Sequence, residues 1–218
     1  MKGITRKERF KFVVEYFQAV MPEPETELEY SDPYELIVAV ILSAQCTDKR
    51  VNMITPGFFI RFPTAESLAA ANPGQVYELI KSCSYPNNKA KHLVGMAKAL
   101  VHEFNNNIPA DVELLQRLPG VGRKSANVIA SVIYRMPVMP VDTHVFRVSQ
   151  RIGLTSNART PLQAEKQLTE NFPTELIRKA HHWLILHGRY VCTARNPKCS
   201  ECGLKEVCKY FNAKIKTA

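Results

Sequence analysis

The sequence predicts an all-α protein of two helical domains. Helix-start signatures recur along the chain, apolar residues fall at the three-and-four spacing of helices, and the period-two alternation of strands is nearly absent. Thr5 with Glu8 forms a capping box ahead of Phe10, Val13, Val14, Phe17 and Val20, which predicts the first helix. Asp32-Pro33 with Glu35, Asn72-Pro73 with Gln75, and Thr160-Pro161 with Gln163 each combine a cap residue, a proline at the first helical position and a polar group at the third. They predict three more helix starts. Further helices fit 48–60, 88–104, 111–117, 123–135, 142–152 and 174–190, with breaks expected at Pro56, Pro63, Pro109, Pro137 and Pro140.

At 218 residues, 45% hydrophobic and 22% charged, the chain has the composition of a folded protein and the length for one large or two small domains. The longest apolar run, Leu36 to Leu42, falls far short of the roughly 20 residues of a membrane helix, so no membrane span is expected. Residues 1–8 turn polar where an export signal would place its apolar stretch, which makes the cytosol the expected compartment. The formal net charge of +9 is uneven: residues 1–100 carry 12 basic and 11 acidic side chains, residues 101–218 carry 17 and 9. The second half is therefore the part suited to a polyanion, although a basic balance can also serve solubility alone.

Four of the six cysteines, Cys192, Cys199, Cys202 and Cys208, are spaced Cys-x6-Cys-x2-Cys-x5-Cys. Such clustering in a cytosolic chain points to a metal centre, and the spacing leaves tetrahedral zinc and an iron-sulfur cluster both open. Cys46 and Cys83 stand alone in the sequence and read as small buried hydrophobes. Leu118-Pro119-Gly120-Val121-Gly122-Arg123-Lys124 lies between a short apolar helix and a longer one. Two glycines at a helix start expose backbone amides that can hold a phosphate oxygen, though a Pro-Gly turn is also ordinary punctuation. The Gly-x4-Gly-Lys spacing of a nucleotide-binding loop is absent.

Taken together, LPGVGRKSANVIA at 118–130, VDTHVFRV at 141–148, HHWLILHGRYVC at 181–192, the cysteine spacing and LSAQCTD at 42–48 resemble the endonuclease III family of helix-hairpin-helix DNA glycosylases. The resemblance runs over most of the chain. It implies a bifunctional repair enzyme that flips an oxidised pyrimidine out of duplex DNA, removes it, and nicks the abasic strand. It also implies a helical barrel domain over 22–136 containing the hairpin at about 111–135. Residues 1–21 with 137–218 would form an iron-sulfur domain with its cluster loop at 192–208, and DNA would lie in a cleft between the domains.

Carried over by position, the resemblance makes Lys124 the Schiff-base nucleophile, Asp142 the catalytic carboxylate, and Cys192, Cys199, Cys202 and Cys208 the ligands of a 4Fe-4S cluster. Gly120, Val121 and Gly122 become the phosphate-gripping turn, Gln45 the gap-filling wedge, and Tyr85 the counterpart of an intercalating leucine. Here the chain departs from the family, with Ser84-Tyr85-Pro86 where a Gly-Leu-Tyr-like run is common. Arg123, Arg147, Arg189, Arg195 and Lys198 are expected to face phosphates. The chemistry suits these assignments, because an amine can displace a base at the anomeric carbon and then, as an imine, acidify the neighbouring sugar proton. A helix N-terminus, Arg123 and burial would each favour the neutral amine at 124.

Asp142 also reads as a helix N-cap and His144 as a structural histidine, while His181, His182 and His187 lack the i, i+4 spacing of a metal pair. Two alternatives remain. One is a sister glycosylase acting on mispaired adenine, which would need a carboxylate where Val38 to Leu42 has none and would lack Lys124. The other is a non-enzymatic iron-sulfur protein that binds DNA. The expected partner is double-stranded DNA with damaged pyrimidines or abasic sites, met by a monomer in the bacterial cytoplasm.

Overall fold

The structure, a computed structural model, describes residues 4–217 and their side chains through residue 213. Among the described residues all regular structure is helical, and no helix is long and apolar enough to cross a membrane. The chain divides into two compact units, Thr26–Met136 and the pair of segments Met1–Glu25 and Pro137–Ala218.

The Thr26–Met136 unit is built around α2 (Pro33–Ser43), whose Asp32 cap accepts from Glu35 N at 2.8 Å. Leu36 through Leu42 are all at most 2% exposed. A helix apolar on every side belongs inside a bundle, and α2 is in contact with α3 (Asp48–Arg61), α6 (Pro86–Glu103) and α8 (Arg123–Ile133). The short helices α4 (Ala65–Ala69) and α5 (Pro73–Ile80) pack against α6, and α7 (Val112–Leu115) packs against α8. Pro56 does not break α3 as the sequence reading expects; it lies inside the helix. Burial of Val51, Thr55 and Phe58 along one face holds the turns on either side of it, and that packing outweighs one lost backbone bond.

The other unit assembles α1 (Arg6–Val20), α9 (Thr143–Ile152), α10 (Pro161–Thr169), α11 (Ile177–Tyr190) and α12 (Lys209–Thr217). The Thr5–Glu8 capping box is present in both directions. Phe17 of α1 stacks on the fully buried Trp183 of α11 with ring centroids 5.6 Å apart, and the indole N–H donates to Met21 O at 2.7 Å. Lys179 Nζ reaches Pro22 O at 2.9 Å. These bonds tie Met21 and Pro22 to this unit. Gly188 lets α9 and α11 close together, since a Cβ there would lie 2.9 Å from His144 Cβ and 3.1 Å from Val148 Cγ2. Two helices are absent from the sequence reading, α4, opened by a Thr64–Ser67 capping box, and α12.

Candidate functional site

The hairpin consists of α7, a turn and α8. Asp111 caps α7 through Glu113 N and Leu114 N, at 2.8 and 2.9 Å, and Val121 N closes the turn on Leu118 O at 3.0 Å. Buried Leu118 and Val121 anchor the turn from below. Its two glycines do different work. Gly120 sits at φ +83°, and a Cβ on it would lie 2.9 Å from His92 Cβ and 3.3 Å from Ile41 Cγ2, so both backbone and packing require glycine. Gly122 has an extended backbone and open space around a would-be Cβ. As the N-cap of α8 it places no side chain over the positive helix end. Gly120→Ala is accordingly expected to destabilise the protein by about 1–3 kcal/mol. Gly122→Ser should fold with unchanged or raised stability, because serine is the better cap. Thermal unfolding of the two variants checks the contrast, and equal losses would contradict it.

Arg123 is exposed and Lys124 half-buried in the first turn of α8. In the other unit, Asp142 is the N-cap of α9, with Oδ1 accepting from Val145 N at 2.8 Å. Buried Met139 and Val141 fix the extended segment leading into it. One turn on, Arg147 donates from Nε to Cys192 O at 3.2 Å and from a terminal nitrogen to Gly188 O at 2.8 Å, with His144 Nδ1 3.2 Å away. Burial lowers the Arg147 pKa. These bonds to backbone carbonyls tie the start of α9 to the end of α11 and to the first cysteine.

Gln45 and Tyr85 share a signature that composition does not reveal. Both are exposed, and both hold the left-handed backbone region, at φ +53° and +54°, which is uncommon for non-glycine residues and a genuine outlier for a bulky one. Such strain persists where the surroundings over-determine it, and here they do. Ser84 Oγ donates to Gln45 O at 2.5 Å, while the buried Lys89 ammonium donates to Leu42 O at 2.7 Å and to Ser84 Oγ at 3.4 Å. Lys89 caps the negative end of α2, and burial lowers its pKa. Nothing in the local sequence marks Lys89 or Ser84 for this role, because their partners lie about 40 positions away. Cys46 and Cys83, read as separate buried hydrophobes, have their sulfurs 3.6 Å apart beneath the same two loops.

Cys192, Cys199, Cys202 and Cys208 line one cavity with Ile152, His187, Leu204 and Tyr210. Four thiol donors lining one cavity, with no carboxylate among the residues that share it, fit an iron-sulfur cluster, whose irons take thiolate ligands. Arg151 donates to Cys192 Sγ at 3.5 Å and to Thr193 O at 2.7 Å, and lies over the Tyr210 ring at 4.7 Å. His187 Nε2 is 3.6 Å from Cys202 Sγ, and burial drops its pKa to about 4, so its imidazole is neutral near pH 7. Hydrogen bonds of this kind orient thiolates and tune a cluster's potential. Gly203, between two of the cysteines, leaves room for the Tyr16 ring, since a Cβ would meet Tyr16 Cε2 at 2.3 Å unless the ring moved. Arg195 and Lys198 are exposed on the segment between the first two cysteines, and Arg189 is half-buried in the last turn of α11.

This architecture, a helix-hairpin-helix in one unit and a four-cysteine segment in another, defines a base-excision DNA repair protein. Residues 38–174 match the HhH-GPD superfamily of base excision DNA repair proteins, and residues 192–208 match the iron-sulfur binding domain of endonuclease III. The chain is 43% identical to endonuclease III of Rickettsia felis over 93% of its own length and 95% of the relative's. It is 39% identical to that of Escherichia coli K12 over 87% and 89%. Among solved structures, a trapped endonuclease III–DNA covalent intermediate superposes with a TM-score of 0.92 at 35% identity, over 97% of this chain and all of that one. A thermostable thymine-DNA glycosylase, 21% identical with a TM-score of 0.80, shares the fold. The chain belongs to the endonuclease III family. It is an enzyme of the DNA glycosylase/AP lyase class with a 4Fe-4S cluster as cofactor.

The cluster has a direct test. Anaerobically purified protein should be yellow-brown, and Cys202→Ser should lose most of that absorbance together with the thermal stability of the cluster segment. A colourless, folded wild type with stoichiometric zinc would contradict it.

Proposed function

We propose that this enzyme excises oxidised pyrimidines from duplex DNA and cleaves the abasic strand by β-elimination through an imine on Lys124. The observation that carries the reading is the placement of Lys124. It is a half-buried residue in the first turn of α8, two positions after a glycine cap that leaves the positive helix end clear for a phosphate. Gly120, Val121, Gly122 and Arg123 hold the DNA backbone there, and Arg189, Arg195 and Lys198 add charge from the other unit. Gln45 and Tyr85, on their rigid left-handed loops, occupy the space that the flipped nucleotide leaves. Arg147 acts as a positioning residue for α9.

In the reaction, the Lys124 amine attacks the anomeric carbon as the base departs, and the sugar ring opens to an imine. Loss of the adjacent sugar proton then breaks the carbon–oxygen bond to the 3′ phosphate. Asp142, with one oxygen held by Val145 N, offers the charge that stabilises the cationic sugar and a group that relays protons. Cys192, Cys199, Cys202 and Cys208 would hold the cluster, which would fix the basic segment between the first two of them in place. The test is a panel of duplexes bearing one oxidised pyrimidine, one oxidised purine or one mispaired adenine, scored separately for base release and strand scission. The reading expects both products chiefly from the oxidised pyrimidine. Release of adenine without scission would replace it with the adenine-mismatch alternative.

A further inference from the structure

Cys46 and Cys83 are not part of the cluster segment, and the chemistry above does not use them. Both are free thiols, Cys46 half-buried and Cys83 buried. Cys46 follows Gln45 directly and Cys83 precedes Tyr85 by two residues, so the pair joins the bases of the two strained loops. At 3.6 Å the sulfurs are in van der Waals contact and need to approach by only about 1.5 Å to form a disulfide of ordinary length. Cys46, the more exposed of the two, is the attacking thiol, and buried Cys83 is its resolving partner. Burial pushes the Cys83 thiol up to about 11, so it reacts second, once the mixed disulfide is beside it.

We propose that Cys46 and Cys83 form a modifiable dithiol that low-molecular-weight disulfides oxidise reversibly, and that closing the bond disables the two loops. The second clause rests on the reading of Gln45 and Tyr85 as the residues that enter the helix. The Cys46 thiolate attacks the small disulfide, its S–S bond breaks, and one thiolate leaves with its electron pair. Cys83 then gives up its proton to solvent and attacks the Cys46 sulfur of the mixed disulfide, expelling the second thiolate. The two cysteines lose two electrons and two protons, and the small disulfide leaves as two thiols. Closure draws together backbones already held in the left-handed region and resets the Ser84–Gln45 bond, so both wedges shift from their poised positions. Exchange with excess small thiol runs the same steps backward, which makes the change reversible.

The experiment uses the full-length, cluster-bearing protein under anaerobic conditions, equilibrated with glutathione disulfide while the visible absorbance of the cluster is monitored. The expected result is a mass loss of about 2 Da, a cross-linked peptide pair holding Cys46 and Cys83, and at least a roughly fivefold fall in excision that dithiothreitol restores. Cys46→Ser and Cys83→Ser, each active when reduced, should ignore the oxidant. A glutathione adduct that stays on Cys46 without closing, or a cross-linked enzyme that excises at the reduced rate, would overturn the proposal. The activity of reduced wild type, measured in parallel, reports separately on the excision reading.

Discussion

Lys124→Gln is expected to abolish strand cleavage and lower base excision by about 10³-fold or more in single-turnover assays. Glutamine is one atom shorter than lysine but still polar and able to donate hydrogen bonds near the first turn of α8, and its amide nitrogen has no nucleophilic lone pair. The variant should therefore fold as wild type does and keep most of its affinity for an abasic duplex, losing only the contribution of one cation. Its loss is of chemistry and not of binding, and the separation of the two is the informative part. If Lys124 were only a solvated lysine at a helix start, rates would change little and the salt dependence of binding would carry the whole effect. Nicking at more than about a hundredth of the wild-type rate would move the nucleophile elsewhere.

Asp142→Asn should cost about 10²- to 10⁴-fold in excision with almost no loss of stability. The structural basis is the cap: Asp142 Oδ1 accepts from Val145 N at 2.8 Å, and asparagine caps a helix about as well as aspartate. The substitution thus removes the negative charge and leaves the entry to α9 intact. Asp142→Ala removes both and should lose a further 1 kcal/mol or so of stability, seen as a lower unfolding midpoint. An Asn variant with wild-type excision would reduce Asp142 to a cap. Because Asp142 and Lys124 act on one nucleotide in this reading, their double variant should fall less than the product of the two single effects.

Helix starts were legible because caps are local chemistry. Thr5 with Glu8, Asn72 with Gln75, Asp32 and Thr160 all close the bonds that their spacing implies. Pro56 misled because its cost is local whereas the burial of Val51, Thr55 and Phe58 that keeps α3 continuous is tertiary. The α12 helix offered no such cap signal, and its docking is seen only in space, where Lys209 packs against the left-handed Gly153. At the site, Lys124, Asp142 and the four cysteines were visible as motif positions. The carbonyl partners of Arg147 at Gly188 and Cys192 leave no mark in the local sequence, because they lie more than 40 residues away. The Lys89–Ser84–Gln45 network and the Cys46–Cys83 contact are likewise products of packing α2 against α6. Spacing along the chain carries no trace of them.

In the proposed reaction the amine of residue 124 bonds covalently to the sugar of a damaged nucleotide. Borohydride added during turnover of a duplex holding one oxidised pyrimidine reduces such an imine to a stable amine, and proteolysis with mass spectrometry then locates it. A single protein–DNA adduct is expected on the peptide containing Lys124, and none from Lys124→Gln, if residue 124 forms the covalent bond. An adduct on another residue, or none from folded, cluster-bearing wild type across several oxidised pyrimidines, would contradict it.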